Sequence, residues 1–434
     1  MSSKNNTLQV FEHHTLKVGD DPRFTLNHFK ALETYGYKTK EKYYSVGNNR
    51  IKFSNYVGVL QVNSLTIEIL PKADYTEKSQ LNKDKWHDAL ISMLLECKLI
   101  KINSITNAKL KLKSASILDL YYEEFLSETE KIYKHGLRKK YHNIQENLTK
   151  LKGKILFTEH LKRNITHKEK FYVEHKLFDP NNKLNQILLK ALIILNSISN
   201  NPNYNVRIKK LLLNLEVVSE RNITNTWFDN LIFDRNTERY RQAITLAKLI
   251  ILRFSPDLKG GTENVLAIMF DMNVLYENYI YRKLKVLEHD DTIPIKKVKE
   301  QIRQPFWGTR GIKADIIIET EYKNLVIDTK WKVLKENKPA DDDLKQMFVY
   351  NLHYNADLSI LLYPKTLLES SQKTPFKHEK FKNNYCQIAF VNIFNDENKL
   401  EKDLGKRLYN EILFNELNSI LKPDMMMELN AIIL

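Results

Sequence analysis

The sequence predicts an α+β protein of several domains: a β-rich amino-terminal module, a mostly helical middle region and a carboxy-terminal α/β core. Three observations predict it. Short apolar runs bounded by turn residues fill positions 1 to about 75, helical apolar spacing dominates 84 to about 255, and strand and helix patterns alternate from 262 onward. With 434 residues, 42% of them hydrophobic, the chain is long enough for two or three packed cores.

Residues 1 to about 75 read as strands with turns, over 42–47, 51–53, 56–62 and 65–70, within a β-rich and partly helical module of residues 1–150. Gly58, between Val57 and Val59, suggests a bulge or a close approach of another backbone. In the middle region, helical spacing covers 86–99, 117–132, 184–198, 208–217 and 239–252, with turns at Asp179-Pro180-Asn-Asn and Asn200-Asn-Pro202-Asn. Pro256-Asp-Leu-Lys-Gly260-Gly261-Thr262 is the expected domain boundary. Beyond it come a helix over 270–280, strands over 313–319 and 324–332, a helix over 343–354, strands over 358–363 and 385–394, and a helix over 399–420. The expected division is 1–150, 151–260 and 261–434.

The chemistry concentrates in one hairpin. Lys313-Ala-Asp315-Ile-Ile-Ile-Glu319 and Asn324-Leu-Val-Ile-Asp328-Thr-Lys330-Trp-Lys332 are joined by Thr320-Glu-Tyr-Lys-Asn324. If the turn is symmetric about Glu321 and Tyr322, Asp315 lies opposite Asp328, at roughly 5 Å between Cα atoms. Asp328 and Lys330 share a face, being two apart. Opposed carboxylates repel, and a divalent cation is the usual neutraliser. Mg²⁺ binds through one or two carboxylates and keeps several waters, which suits work on a phosphodiester. Lys330 would orient or help deprotonate a water, or offset charge on the phosphate. The plain alternative is a solvated hairpin face, the ordinary place for Asp and Lys in strands.

Flanking segments favour the site. In Asp343-Leu-Lys-Gln346-Met-Phe-Val-Tyr350-Asn-Leu-His353, Gln346 and Tyr350 share a helix face. In Phe270-Asp-Met-Asn273-Val-Leu-Tyr276-Glu277-Asn-Tyr279-Ile280, Glu277 can supply a third carboxylate. This order of elements resembles the PD-(D/E)xK nuclease core, in the branch with Gln-x-x-x-Tyr after the lysine; the usual Pro before the first Asp is here Ala314.

The 270–280 segment is further similar to that of McrC, the nuclease subunit of the McrBC (5-methylcytosine-specific) restriction systems. Three more stretches resemble that family: Tyr56-Val-Gly58 through Ile-Glu68-Ile-Leu-Pro71-Lys72, Gly136-Leu137 through Glu146-Asn147-Leu148 to Gly153-Lys154, and Lys183-Leu-Asn185-Gln-Ile-Leu-Leu-Lys190. The similarity spans roughly 50 to 365.

The resemblance implies a Mg²⁺-dependent DNA endonuclease (Mn²⁺ able to substitute), with Asp315, Asp328 and Glu277 as metal ligands and Lys330 organising the attacking water. Gln346 and Tyr350 would hold the scissile phosphate or nearby backbone. It also implies double-stranded DNA and a McrB-like AAA+ GTPase as partners, docking by residues 1 to about 150, and leaves room for dimerisation through the nuclease domain. No nucleotide is expected on this chain, because Gly260-Gly261 lacks the Lys-Ser/Thr of a phosphate-cradling loop.

Composition agrees. Net charge is +15 and the pI about 9.3, suited to a phosphate-bearing partner, although a lysine-rich genome gives the same balance. Gly136-Leu-Arg138-Lys-Lys140-Tyr with Lys150, Lys152 and Lys154 could follow DNA, follow an acidic partner, or be a solvated helix end. Cys97 and Cys386 imply neither disulfide framework nor zinc site, no apolar run spans a membrane, and the polar start is not a signal peptide, so a cytoplasmic protein is expected. Two rivals stay open: a stand-alone nuclease of the same core, for example in repair, and a non-enzymatic adaptor that stimulates a partner NTPase.

Overall fold

A computed structural model describes residues 6–72, 80–100, 116–199, 201–229, 231–255, 264–321, 324–334, 336–365, 368–378 and 384–418. The amino-terminal module centres on a five-stranded sheet in the order Thr7–Phe11, Leu65–Leu70, Tyr56–Val62, Val265–Asp271, Phe254–Ser255. Tyr56–Val62 is apolar on both faces and buried almost throughout, as a central strand must be. Asn63, at φ 52, turns the chain into Leu65–Leu70, a conformation Asn tolerates. Gly58 sits at φ +133, and a Cβ there would meet the Ile268 carbonyl oxygen at 2.2 Å. The expected close backbone approach is therefore present, and its partner is the strand Val265–Asp271, paired antiparallel with Gly58 opposite Met269.

That pairing bears on where the carboxy-terminal part begins. The expected boundary at 256–262 lies outside the described residues. Immediately after it the chain completes the amino-terminal sheet before Met272–Lys285 starts. Residue 272's amide also donates to the Asn55 carbonyl, and Asn55 Nδ2 donates to Asp271, so the two parts are fastened where the helix starts.

One expectation is corrected. The amino-terminal module is not strands alone, because Leu26–Lys38 is a helix beside a small sheet of Thr15–Lys17, Arg50–Phe53 and Tyr44–Gly47. Phe29, Leu32 and Gly36, with Ala31 and Tyr35, are buried at helical spacing on its inner face. The middle region is mostly helical, as expected, and also holds a small sheet that the sequence did not signal. Lys140–Leu148, Phe171–Asp179 and Lys154–Ile155 form a three-stranded sheet. Lys140–Leu148 has no buried residue, so it lacks the alternation that marks a half-buried strand. Ile117–Lys134, Lys183–Ile198 and Arg241–Arg253 fall where the periodicity put them, whereas the helix expected over 208–217 runs from Pro202 to Asn214, the proline opening it rather than closing a turn. The helices that open at Ile117, Lys183 and Pro202 each start on a side-chain cap, Ser116, Asn182 or Asn201 accepting from a backbone N–H of the first turn.

The carboxy-terminal sheet runs Lys297–Glu300, Ile316–Glu319, Asn324–Thr329, Ala356–Pro364, Tyr385–Val391, Thr374–Pro375. Its first three strands are antiparallel, and the next two join in parallel. One face packs on Met272–Lys285 within a main core that continues through the middle helices, including Phe125, Leu188, Ala247, Tyr276 and Ile327. The other is covered by Asp341–His353, with Val326, Met347 and Tyr350 in a smaller core. Among the described residues no helix is long and apolar enough to cross a membrane.

Candidate active site

The hairpin pairs in the expected register. Ile316 is opposite Ile327 and Glu319 opposite Asn324, so the next step of the ladder sets Asp315 opposite Asp328. Part of the connecting turn lies outside the described residues. Asp328 is only 1% exposed, and its Oδ2 lies 2.5 Å from Lys330 Nζ. Asp315 is fixed by the neighbouring strand: the Thr329 amide and hydroxyl donate to its Oδ2 at 2.9 and 3.1 Å. Burial raises both carboxyls above their usual range, and Asp315 raises Asp328 further, while Lys330 opposes the shift in each. Burial works to lower the Lys330 ammonium, but Asp328, Asp343 and Asp315 outweigh it and leave it raised.

Glu277, on the helix Met272–Lys285, joins this group. It is 9% exposed, and its Oε1 has no hydrogen-bond partner. Burial first and Asp315 second push it up to about 7, against a hydrogen bond from Gln301 and the charge of Lys313. Asp315 thus acts by its charge on both Asp328 and Glu277, Lys330 lies against Asp328, and Glu277 Oε1 lacks a hydrogen bond.

Gln346 and Tyr350 come to the same place by a route the sequence does not reveal. The Tyr350 hydroxyl donates to the Lys313 carbonyl, and Gln346 Nε2 donates to that hydroxyl. The covering helix therefore grips the backbone two residues before Asp315. Ala314, where resembling sequences have Pro, uses the N–H that Pro lacks to bond the Tyr354 hydroxyl at 3.2 Å.

Four neighbours were not singled out by sequence. Thr329 anchors Asp315, Gln301 bonds Glu277, and Lys313 acts on both carboxyls through its charge. Asp343 pairs with Lys332 at 2.7 Å and Lys330 at 3.6 Å. In the sequence it reads as one of three aspartates opening a helix, and only its spacing from the lysines hints at more.

The donor set suits a hard cation that keeps its own waters. All candidate ligands are carboxylates, and among the described residues no group of three or more His, Cys, Asp or Glu forms a ready metal-holding cluster. Such a set fits Mg²⁺, which takes one or two carboxylates, better than a closed zinc site.

Comparison with known proteins gives the relationship. The profile of the McrBC 5-methylcytosine restriction system component family matches residues 51–364. The fold is similar to a chain of the Thermococcus gammatolerans assembly of McrB AAA+ hexamers with bound McrC, at TM-score 0.67 and 19% identity, over 96% of this chain and 100% of that one. A second likeness is to the McrBC complex of the same organism, at TM-score 0.49 and 20% identity, over 65% of this chain and 87% of that one. No curated protein sequence matches. With the family match covering most of the chain and the motifs of McrC in place, the chain belongs to the McrBC 5-methylcytosine restriction system component family.

Proposed function

We propose that the chain is the DNA-cutting subunit of a McrBC-type complex, a Mg²⁺-dependent endonuclease with a PD-(D/E)xK core in its carboxy-terminal sheet. The carrying observation is the pair Asp315 and Asp328, opposed across the hairpin with Lys330 against Asp328, beside Glu277 whose Oε1 has no hydrogen bond. Repelling carboxyls held largely out of water cost stability, and a cation between them is a feature that offsets the cost.

Asp315 and Asp328 would hold the cation, with Glu277 as a further ligand or support. Mg²⁺ in such a site supplies Lewis acidity toward a phosphodiester oxygen and a more acidic water. Lys330 would orient the attacking water and offset charge growing on the phosphate. Asp343, by pairing with Lys330 and Lys332, keeps both ammoniums in place. Gln346 and Tyr350 serve by holding the Lys313 carbonyl, with phosphate contact as a further role.

Duplex DNA has a matching surface beside the cluster. Arg303–Trp307 and Arg310–Lys313 form a hairpin that leads into Asp315, with Arg303, Arg310 and Lys313 exposed and Trp307 72% exposed. Exposed cations there suit the phosphate backbone of a duplex. For the partner, the solved assembly of similar fold contains McrB AAA+ hexamers with bound McrC. A ring of that class would supply the nucleotide hydrolysis for which this chain has no phosphate-cradling loop. The exposed Tyr141, Phe157, Ile165 and Phe178 of the middle region, and the amino-terminal module, are the surfaces offered to it.

Plasmid cleavage by the chain purified with its native partners, with Mg²⁺ and GTP or ATP, tests the reading. Nucleotide-dependent cutting by wild type but not by Asp328→Ala is expected. Cutting without nucleotide would point to a stand-alone nuclease. Stimulated nucleotide hydrolysis with no cutting by either protein would replace the reading with the adaptor.

A further inference from the structure

Outside the carboxylate cluster, the least explained buried charge is Glu12. It follows the strand Thr7–Phe11 and is 3% exposed. Its Oε1 accepts from Trp331 Nε1 at 2.7 Å, across 319 positions of sequence, and from the Lys72 amide at 2.8 Å. Its Oε2 has no hydrogen bond, with His13 Nε2 at 3.7 Å.

Trp331 is the residue after Lys330. Successive side chains of an extended segment point to opposite faces. Lys330 meets Asp328, and Trp331 enters the main core. There its ring lies edge-on to Trp86 at 6.0 Å and tilted against Tyr276 at 5.1 Å, and Tyr276 precedes Glu277. One indole thus touches the amino-terminal module, the first helix of the middle region and the helix that carries Glu277. The strand Asn324–Thr329 has already ended at this point, and the Lys330 amide is held by the Leu362 carbonyl at 2.9 Å. A cavity of about 550 Å³ lies beside this joint, lined by Glu12, His13, Lys72, Lys83, Trp331 and Lys332.

We infer that Glu12 is a positioning residue for Lys330: the amino-terminal module fixes the end of the Asp-x-Lys strand through the Glu12–Trp331 hydrogen bond, so displacement of that module is felt at the cutting site. The inference rests on the nuclease reading for its consequence, but the joint is defined by geometry alone. Burial pushes the Glu12 carboxyl up to about 7 against its two hydrogen bonds. A buried indole N–H requires an acceptor.

The test uses the full chain with its partners and three variants. Glu12→Ala and Trp331→Phe each remove the bond, the latter keeping an aromatic ring in the core; Glu12→Gln keeps a carbonyl acceptor. Single-turnover cutting should slow about tenfold in the first two with DNA affinity unchanged, and their double variant should be no slower than the slower single. Glu12→Gln should cut nearly as wild type. Without DNA, hydrogen exchange at the Lys330 amide should quicken in Glu12→Ala and Trp331→Phe but not in Glu12→Gln. Unchanged exchange, losses that multiply in the double variant, or a Glu12→Gln as impaired as Glu12→Ala would overturn the inference. If wild type fails to cut under every condition, the nuclease reading fails, while Lys330 exchange still decides whether the joint exists.

Discussion

Two regions of this molecule bury carboxylates, and they do so on opposite terms. In the amino-terminal sheet, Glu68 is 1% exposed and fully engaged: it accepts from the Ile117 amide at 2.8 Å and from Gln9 at 3.0 Å, with His87 Nε2 at 3.6 Å. Burial works to raise it, yet its partners prevail and hold it below the usual carboxylate range. In the carboxy-terminal part, Asp315 and Asp328 of the hairpin and Glu277 of the helix beneath it are raised, each by burial first, and Glu277 keeps an oxygen with no hydrogen bond. Glu68 and Asp328 are each 1% exposed, so burial alone does not set the state of a carboxylate; its partners do. Glu68, satisfied by its partners, helps hold the fold, whereas under the proposed function the carboxyls of the hairpin and of Glu277 are offered to a cation.

The contrast is sharpest if a single substitution separates function from stability. Asp328→Asn should abolish cutting, by 10³-fold or more, while its melting temperature stays close to that of wild type, because the repulsion with Asp315 is relieved and Asp343 remains to pair Lys330. A clear fall in melting temperature would place Asp328 with Glu68, as a structural group. The reverse substitution is the next largest effect. Glu68→Ala leaves His87 and the Ile117 amide without their acceptor and should cost about 3 kcal/mol in denaturant unfolding. A loss below about 1 kcal/mol would mean that satisfaction by partners does not translate into stability here.

A pH series separates the regions more finely. His87 is raised to about 9 because Asp88 and Glu68 outweigh the effect of burial. Its folded pKa exceeds the unfolded value near 6.5, so its contribution is complete below that pH and is lost as pH rises through about 9. Wild-type stability should thus decline over that window more than that of His87→Gln; parallel curves would contradict the pairing. The smallest effect expected is at Tyr350→Phe, which removes the donor to the Lys313 carbonyl. It should cost about 1 kcal/mol of stability and slow cutting modestly, and a complete loss of cutting would instead mark Tyr350 as a group that touches the substrate.

How far the sequence reaches is clear from particular residues. The opposition of Asp315 and Asp328 follows from the symmetric turn, and the shared face of Asp328 and Lys330 from strand alternation; both rest on short-range geometry. Glu277 was legible as a residue on a helix, but its burial against Asp315 depends on how that helix lies on the sheet. Gln346 and Tyr350 were legible as one helix face, yet their target is a main-chain carbonyl, which carries no side-chain signature. Val265–Asp271 was illegible for another reason: a continuous apolar run does not distinguish strand from helix, and its partner lies some two hundred residues earlier, at Tyr56–Val62. The middle three-stranded sheet was missed because Lys140–Leu148 buries none of its residues, leaving no hydrophobic period to read.

The claim that the unsatisfied carboxylates await a cation is tested most directly by thermal unfolding of wild type and Asp328→Asn with and without Mg²⁺. A cation that binds only the folded state raises its melting temperature. The account predicts a Mg²⁺-dependent rise in wild type that is absent from Asp328→Asn. An equal rise in both, or none in either, would contradict it.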